Sequence, residues 1–137
     1  MKIRESIVIA ADPDTVWRIG GDVGNIADWV PAIEKSHIDG DVRHATFAEG
    51  GGTATERIVE RDDTARFYVY EYLTGPLPLR SYRSRFEVRE HTEGAEVVWS
   101  AEFSAGSPEE ETGLAEGIRG IYRAALDELS RRAAAAS

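Results

Sequence analysis

Glu56 is the first candidate for chemistry in this sequence. It alternates with Ala54 and Ile58, so in a β-strand the three side chains share one face and the carboxylate lies among apolar neighbours. A carboxylate in that position can accept a hydrogen bond from a ligand hydroxyl, or act as a general base that removes an acidic proton. It can equally be a structural partner for the neighbours of Arg57 or for a tyrosine. The residues alone leave these readings open.

Three tyrosines, Tyr68, Tyr70 and Tyr72, alternate along the next β-rich segment. On an inner face they would form an aromatic wall, and each buried hydroxyl would need a hydrogen-bond partner. Such a wall suits a ligand that contains a ring. The other face of the segment is more apolar and could instead be the inner one, which would leave the tyrosines as a surface stripe. That other face consists of Ala65, Phe67, Val69 and Leu73.

Tyr82 and Ser84 belong to the clearest strand of the sequence. Uncharged side chains alternate there with Arg83, Arg85 and Glu87, which separates an inner face from a charged outer face. We therefore expect Tyr82 and Ser84 to point into the protein.

The sequence contains few other motifs that carry chemistry. His37, His44 and His91 lack the spacing of a metal site, and the chain has no cysteine. There is no Gly-x-Ser-x-Gly nucleophile motif, and no Lys-Ser/Thr pair follows Gly50–Gly52 as in a phosphate-binding loop. We predict no metal and no cofactor, and no motif in the sequence supports hydrolase activity.

Length and composition favour an ordinary globular protein. The 137 residues predict a single domain over residues 1–137, large enough for a core and a modest cavity. The net charge of −9 opposes nucleic acid and gives no general attraction to anionic lipid. No apolar run approaches the ~20 residues that cross a bilayer, and the charged start is unlike a signal peptide. We predict a cytoplasmic monomer or homodimer that does not insert into membranes.

The order of elements predicts an α+β fold. A strand over residues 2–9 precedes two short helices, the first capped by Asp12 and the second around Val23 to Trp29. Six strands fit between Ala32 and Phe103, separated by Gly- and Asp-rich turns. A long helix then starts at Ser107-Pro108 and runs to about Arg132, before an alanine-rich end that looks like a fraying tail.

The long helix must pack on the sheet. Its predicted apolar stripe consists of Leu114, Ile118, Ile121, Ala125 and Leu129. Gly113, Gly117 and Gly120 interrupt the same helix, and each costs up to ~1 kcal/mol relative to alanine. They either permit close packing or thin the helix so that a cavity remains beside it. We favour the cavity.

These features together resemble the SRPBCC superfamily, whose members include polyketide cyclase/dehydrase-like proteins, START lipid-transfer domains, birch-pollen-type allergens and plant abscisic-acid receptors. The segments that carry the resemblance are Asp12–Trp17, Trp29–Ile33, Thr55–Ile58 and Gly75–Ser84. It covers essentially the whole chain. It implies a helix-grip fold, in which a curved seven-stranded antiparallel sheet grips the C-terminal helix around an elongated apolar pocket.

The resemblance also implies roles for individual residues. Positions similar to Glu56, Tyr82 and Ser84 contact ligand in the abscisic-acid receptors, but the stretch Trp29–Ala32 has no lysine to pair with a carboxylate hormone. The ligand contacts that we predict are Glu56, Tyr68, Tyr70, Tyr72, Tyr82, Ser84, Trp99, Gly117, Ile121 and Ala125. The loops expected to gate the pocket mouth contain Gly51, Pro76, Leu77 and Pro78.

Three functions follow as hypotheses. The first is binding or carriage of a small hydrophobic, ring-containing molecule, in the manner of lipid-transport proteins. The second is a polyketide cyclase, aromatase or dehydrase that uses Glu56 and a pocket tyrosine such as Tyr82 as base and acid. The third is an interaction domain with an acidic surface, which predicts a filled core without a cavity.

Overall fold

Seven antiparallel strands form one curved sheet in the order β1-β7-β6-β5-β4-β3-β2 in the computed structural model, which describes residues 1–136. The strands are β1 (Lys2–Ile9), β2 (Ile33–Asp39), β3 (Val42–Phe47), β4 (Thr53–Asp62), β5 (Phe67–Thr74), β6 (Ser81–His91) and β7 (Gly94–Ser104). Every connection from β2 to β7 is a turn between neighbouring antiparallel strands. The predicted α+β helix-grip architecture is confirmed.

Two short helices separate β1 from β2. Helix α1 (Pro13–Gly20) begins where predicted, because Asp12 Oδ1 accepts a hydrogen bond from Asp14 N at 2.8 Å and proline occupies the first turn. A 3₁₀ helix over Val23–Asp28 follows and places Trp29 in the core, where it is 1% exposed. A further 3₁₀ turn, Ala48–Gly50, lies between β3 and β4.

The C-terminal helix α2 (Pro108–Ala136) has 29 residues and is therefore about 40 Å long. Ser107 Oγ accepts a hydrogen bond from Glu110 N at 3.2 Å, the expected N-terminal cap. The prediction of a fraying tail is wrong at Ala133, because this residue is helical and fully buried. Ser137, the last residue of that predicted tail, lies outside the described residues.

The buried face of α2 differs in part from the predicted stripe. Ile118, Ala125 and Leu129 are buried as expected, whereas Leu114 and Ile121 are half-buried. The face also includes Tyr122 and Leu126, which the prediction left out. The Tyr122 ring stacks on Trp99 with 4.0 Å between centroids and 7° between planes, so a contact with β7 helps to orient the helix.

The sheet register brings polar residues of three strands side by side. Arg43 on β3 pairs with Glu56 on β4, and Glu56 pairs with Tyr72 on β5. Register shifts flank Glu56 on both sides, between Thr55 and Glu56 and between Ile58 and Glu60. Irregularities of this kind bend and twist a sheet, which helps it curl around α2.

The tyrosine face of β5 is the inner one. Tyr68 and Tyr70 are buried and Tyr72 is half-buried, all three on the side of the core. The strand starts only at Phe67, so Ala65 precedes it in a turn, and Leu73 on the opposite face is 43% exposed. The choice between the two faces that the sequence left open is thereby settled.

Candidate ligand chamber

A chamber of about 70 Å³, here called the inner chamber, lies between the concave face of the sheet and α2. Aliphatic and aromatic side chains form most of its wall, and Arg43, Glu56 and tyrosine hydroxyls are its polar groups. The lining residues are Ile26, Val30, Ile33, Arg43, Ala45, Phe47, Ala54, Glu56, Tyr70, Tyr72, Leu77, Leu79, Tyr82, Trp99, Ile118, Ile121 and Tyr122.

Glu56 forms an ion pair inside the chamber. Its Oε1 accepts a hydrogen bond from Arg43 Nε at 2.9 Å, and the two side chains are 13% and 0% exposed, respectively. No residue among 1–136 donates a hydrogen bond to the second oxygen, Oε2. Part of the carboxylate thus holds Arg43, and the rest remains able to accept a hydrogen bond from a ligand.

Arg43 is a charged side chain enclosed in the core. Its Nη1 donates to Val23 O at 3.3 Å and to Tyr68 Oη at 3.1 Å, and its guanidinium carbon lies 4.6 Å from the Tyr70 ring centroid. Burial alone lowers the pKa of Arg43, but its electrostatic interactions with Tyr68, Glu56 and Tyr70 outweigh burial and raise that pKa. Arg43 therefore stays positively charged.

Three tyrosine hydroxyls meet opposite this ion pair. Tyr70 Oη lies 3.5 Å from Tyr82 Oη, and Tyr82 Oη is hydrogen-bonded to Tyr122 Oη of α2. Ser84 Oγ supports the cluster, because it lies 3.0 Å from Tyr122 Oη and also accepts a hydrogen bond from Trp99 Nε1 at 3.0 Å. The cluster joins β5, β6, β7 and α2.

Burial keeps the phenols of this cluster neutral. The pKa values of Tyr70, Tyr82 and Tyr122 are all raised well above 10, first by burial and then by their mutual electrostatic interactions. At neutral pH these groups are therefore protonated and can both donate and accept hydrogen bonds.

The loop between β5 and β6 closes one end of the inner chamber. Leu77 lines the chamber, and both of its backbone polar groups bond to one side chain: Tyr72 Oη accepts from Leu77 N at 3.1 Å and donates to Leu77 O at 3.3 Å. The only other backbone contact of Leu77 among the described residues is the hydrogen bond from Leu79 N to Leu77 O at 2.8 Å. Tyr72 is thus the one side chain among the described residues that hydrogen-bonds to the backbone of Leu77.

An apolar outer groove of about 380 Å³ lies on the other side of Leu77. Leu77, Ile118 and Ile121 line both the groove and the inner chamber, so they form the partition between the two. The remaining groove residues are Pro78, Glu110, Gly113, Leu114 and Gly117. A Cβ atom added at Gly113 or Gly117 would meet no atom within 4 Å, so the groove has free space beside both residues.

The structure brings most of the predicted ligand contacts to the inner chamber: Glu56, Tyr70, Tyr72, Tyr82, Trp99 and Ile121. Four others lie outside its lining. Tyr68 and Ser84 are buried and support Arg43 and Tyr122, and Ala125 is fully buried on α2. Gly117 lines the outer groove, as Gly113 does, and neither glycine lines the inner chamber.

Two of the four predicted gate residues line the inner chamber or the outer groove, and two line neither space. Leu77 lies at the partition, and Pro78 lines only the groove. Pro76 is exposed and lies beside Gly52 of the preceding loop, where an added Cβ would sit 3.4 Å from Pro76 Cβ. Gly51 is exposed and lines neither space.

Sequence reasoning missed Arg43 and Tyr122. Arg43 meets Glu56 through the β3–β4 register, and symmetry about the Ala48–Gly52 turn does not predict this pair, because Arg43 and Glu56 are seven and six positions from Gly50 at its centre. Tyr122 directly follows Ile121, which was assigned to the apolar stripe of α2. No signal in the helix pattern placed it inside, since its position depends on stacking with Trp99.

Within residues 1–136, no group of three or more His, Cys, Asp or Glu side chains is arranged to hold a metal ion. No helix within the same range is long and apolar enough to span a membrane.

Comparison with known proteins shows that a family model matches nearly the whole chain. The family model for polyketide cyclase/dehydrase and lipid transport matches residues 1–134. Among curated proteins, no sequence matches the chain. The protein XoxI of Bacillus cereus has 30% sequence identity and a TM-score of 0.89, and the alignment covers 96% of this chain and 94% of that one.

Two more distant structures share the fold. The ZhuI aromatase/cyclase of Streptomyces sp. R1128 has 21% identity and a TM-score of 0.83, with coverage of 97% of this chain and 93% of that one. A START superfamily protein of Mycobacterium smegmatis has 11% identity and a TM-score of 0.83, with 99% of each chain covered. At these identities the likeness concerns the fold alone.

Proposed function

Because the chain belongs to the polyketide cyclase/dehydrase and lipid transport family, we propose that it binds a small hydrophobic, ring-containing molecule in the inner chamber. The observation that carries this proposal is the composition of the chamber wall, which is mostly aliphatic and aromatic with a few polar groups at defined positions. Walls of that kind are typical of small-molecule sites, where the apolar surface gives affinity and the polar groups fix orientation.

The inner chamber must enlarge to hold such a ligand. Its volume of about 70 Å³ is below the ~300–1,000 Å³ that is usual for ligand pockets. The outer groove provides the additional space, because only Leu77, Ile118 and Ile121 separate the two. Release of Leu77 from Tyr72 would join them, so the β5–β6 loop acts as the gate in this proposal.

In the first form of the proposal, the protein is a carrier that releases its ligand unchanged. Native mass spectrometry of freshly purified protein tests it: we expect an added mass of a few hundred daltons, as for a drug-sized ligand, that disappears under denaturing conditions. Ile121→Trp should reduce that adduct because Ile121 lies in the partition. Ile38→Trp is the matched control, since Ile38 is 39% exposed and lines neither space. An adduct retained in full by Ile121→Trp would contradict the proposal.

The second form is an enzyme of the cyclase, aromatase or dehydrase type. It is favoured by the free oxygen of Glu56 and by phenols that stay protonated, which supply an acceptor and donors in one chamber. Glu56→Gln separates the two forms. A general base cannot be replaced by an amide, so turnover of a polyketide-like substrate should be abolished, whereas a hydrogen-bond acceptor role predicts only weaker binding.

A further inference from the structure

Arg43 has one nitrogen whose role the fold does not explain. Nε bonds to Glu56, and Nη1 bonds to Val23 O and Tyr68 Oη. Nη2 is buried and has no hydrogen-bond partner among residues 1–136, although Arg43 lines the inner chamber. Its two N–H groups are donors on a charged group that is shielded from solvent.

Such an arrangement is unfavourable unless an acceptor is supplied. A buried donor without a partner loses its hydration and gains nothing in exchange, and the loss is larger for a charged group. The rings of Tyr70 and Tyr68, with centroids 4.6 and 5.5 Å from the guanidinium carbon, pack near its face. An acceptor for Nη2 must therefore approach along the edge of the guanidinium.

The charges around Arg43 indicate what kind of acceptor fits. Glu56 already balances the guanidinium charge at 2.9 Å, and the phenol of Tyr70, whose ring lies beside the guanidinium, is neutral. A ligand carboxylate would add a second negative charge beside Glu56 in a poorly solvated space. A neutral oxygen satisfies Nη2 without adding that charge.

We propose that Arg43 Nη2 anchors a carbonyl oxygen of the ligand, so the chamber selects a hydrophobic ketone over the corresponding hydrocarbon or carboxylic acid. This rests on the proposed binding function. Glu56 is a positioning residue in this arrangement, because its bond to Nε holds the guanidinium in place. The neighbouring phenols are further donors for oxygens elsewhere on the ligand.

Calorimetric titration with three related probes tests the anchor. The probes are 1-tetralone, the hydrocarbon tetralin and 1,2,3,4-tetrahydro-1-naphthoic acid, which share a fused ring system and differ in the polar group. We expect the ketone to bind about tenfold more tightly than tetralin, the usual order for a hydrogen bond to a charged donor, and the acid to bind less tightly than the ketone.

The double variant Arg43→Met/Glu56→Gln removes the anchor together with the charge that it would otherwise leave unpaired. We expect this variant to bind 1-tetralone and tetralin with equal affinity. Equal binding of both probes by the unsubstituted protein, or a ketone preference that persists in the variant, would overturn the anchor and leave the binding function intact. If the unsubstituted protein binds none of the probes, both proposals are overturned.

A measurement on the unsubstituted protein keeps the test independent of whether the variant folds. With 1-tetralone labelled with ¹³C at the carbonyl, a hydrogen bond from a guanidinium should move the bound resonance downfield of its position in hexane. A bound resonance at the hexane position would overturn the anchor. Cross-peaks from the labelled carbonyl to water alone would do the same, because a water molecule would then be the partner.

Discussion

The hydroxyl of Tyr72 bonds to both the N–H and the C=O of Leu77, at 3.1 and 3.3 Å. One side chain of the sheet thereby fixes one of the three residues that separate the inner chamber from the outer groove. Two hydrogen bonds made by a single oxygen atom tie the β5–β6 loop to the sheet at Leu77. Loss of that atom should loosen the loop without disturbing the core.

Tyr72→Phe is therefore expected to free the loop. The Leu77 amide loses its acceptor, so its hydrogen-exchange rate, measured by NMR, should rise at least tenfold. The Arg80 amide is the internal control, since its bond to Ser104 O at 2.9 Å does not involve Tyr72. Unchanged exchange at Leu77 would show that other contacts keep the loop closed.

Two glycines of α2 offer a matched test of the outer groove. Gly117 lines it and Gly120 does not, and an added Cβ would be free of contacts at both positions. Leucine at either site should stabilise the helix by about 0.5–1 kcal/mol. Only Gly117→Leu should slow association of a hydrophobic probe in stopped-flow fluorescence, because its side chain fills the groove. Equal slowing by Gly120→Leu would show that the probe does not enter through the groove.

The Arg43–Glu56 pair predicts a non-additive effect on stability. Arg43→Met leaves the Glu56 carboxylate without its partner and should lower the free energy of unfolding by about 3–5 kcal/mol. Adding Glu56→Gln removes the unpaired charge and should restore part of that loss. Urea denaturation of both single variants and the double variant measures the coupling. Additive losses would mean that the two side chains act independently.

The buried phenols predict loss of stability in alkali. The pKa values of Tyr70, Tyr82 and Tyr122 are raised well above 10 in the folded protein. From about pH 10 upward the unfolded chain releases protons that the folded protein retains, so unfolding becomes easier as the pH rises. Above pH 10 the free energy of unfolding should fall with pH, and the slope should reach about 1.4 kcal/mol per pH unit for each tyrosine.

Urea denaturation between pH 8 and pH 11 checks this slope. The full stabilisation should be present below pH 10 and should decline above it. Tyr82→Phe should reduce the slope by one of the three tyrosine contributions, since phenylalanine carries no ionisable hydroxyl. A free energy of unfolding that stays constant up to pH 11 would be inconsistent with burial of the three phenols.

The order of elements was predictable because it depends on local patterns. Alternation in β6, the Asp12 and Ser107 caps and the glycine-rich turns each act within a few residues, and they predict the strands and helices correctly. The position of Glu56 on an inner face followed from the same alternation. Its neighbours Ala54 and Ile58 pointed to the core.

The arrangement within the site depends on contacts between distant parts of the chain. In the sequence, Arg43 looks like an ordinary charged residue of a half-exposed strand. Only the β3–β4 register shows that it meets Glu56. The rotation of α2 that brings Tyr122 to Tyr82 is set by packing against Trp99. The meeting of Leu77 from the β5–β6 loop with Ile118 and Ile121 from α2 likewise joins distant segments, which no local pattern encodes.

If the protein binds as proposed, a hydrophobic ligand occupies the inner chamber. Isotope-filtered NOE spectroscopy with methyl-labelled protein and 1-tetralone locates the bound ligand. We predict NOEs from the ligand ring protons to methyl groups of Val30, Ala45 and Ile118, which line the chamber, and none to the exposed Val8 and Val59. Ligand NOEs confined to Val8, Val59 or other exposed methyl groups would contradict the claim.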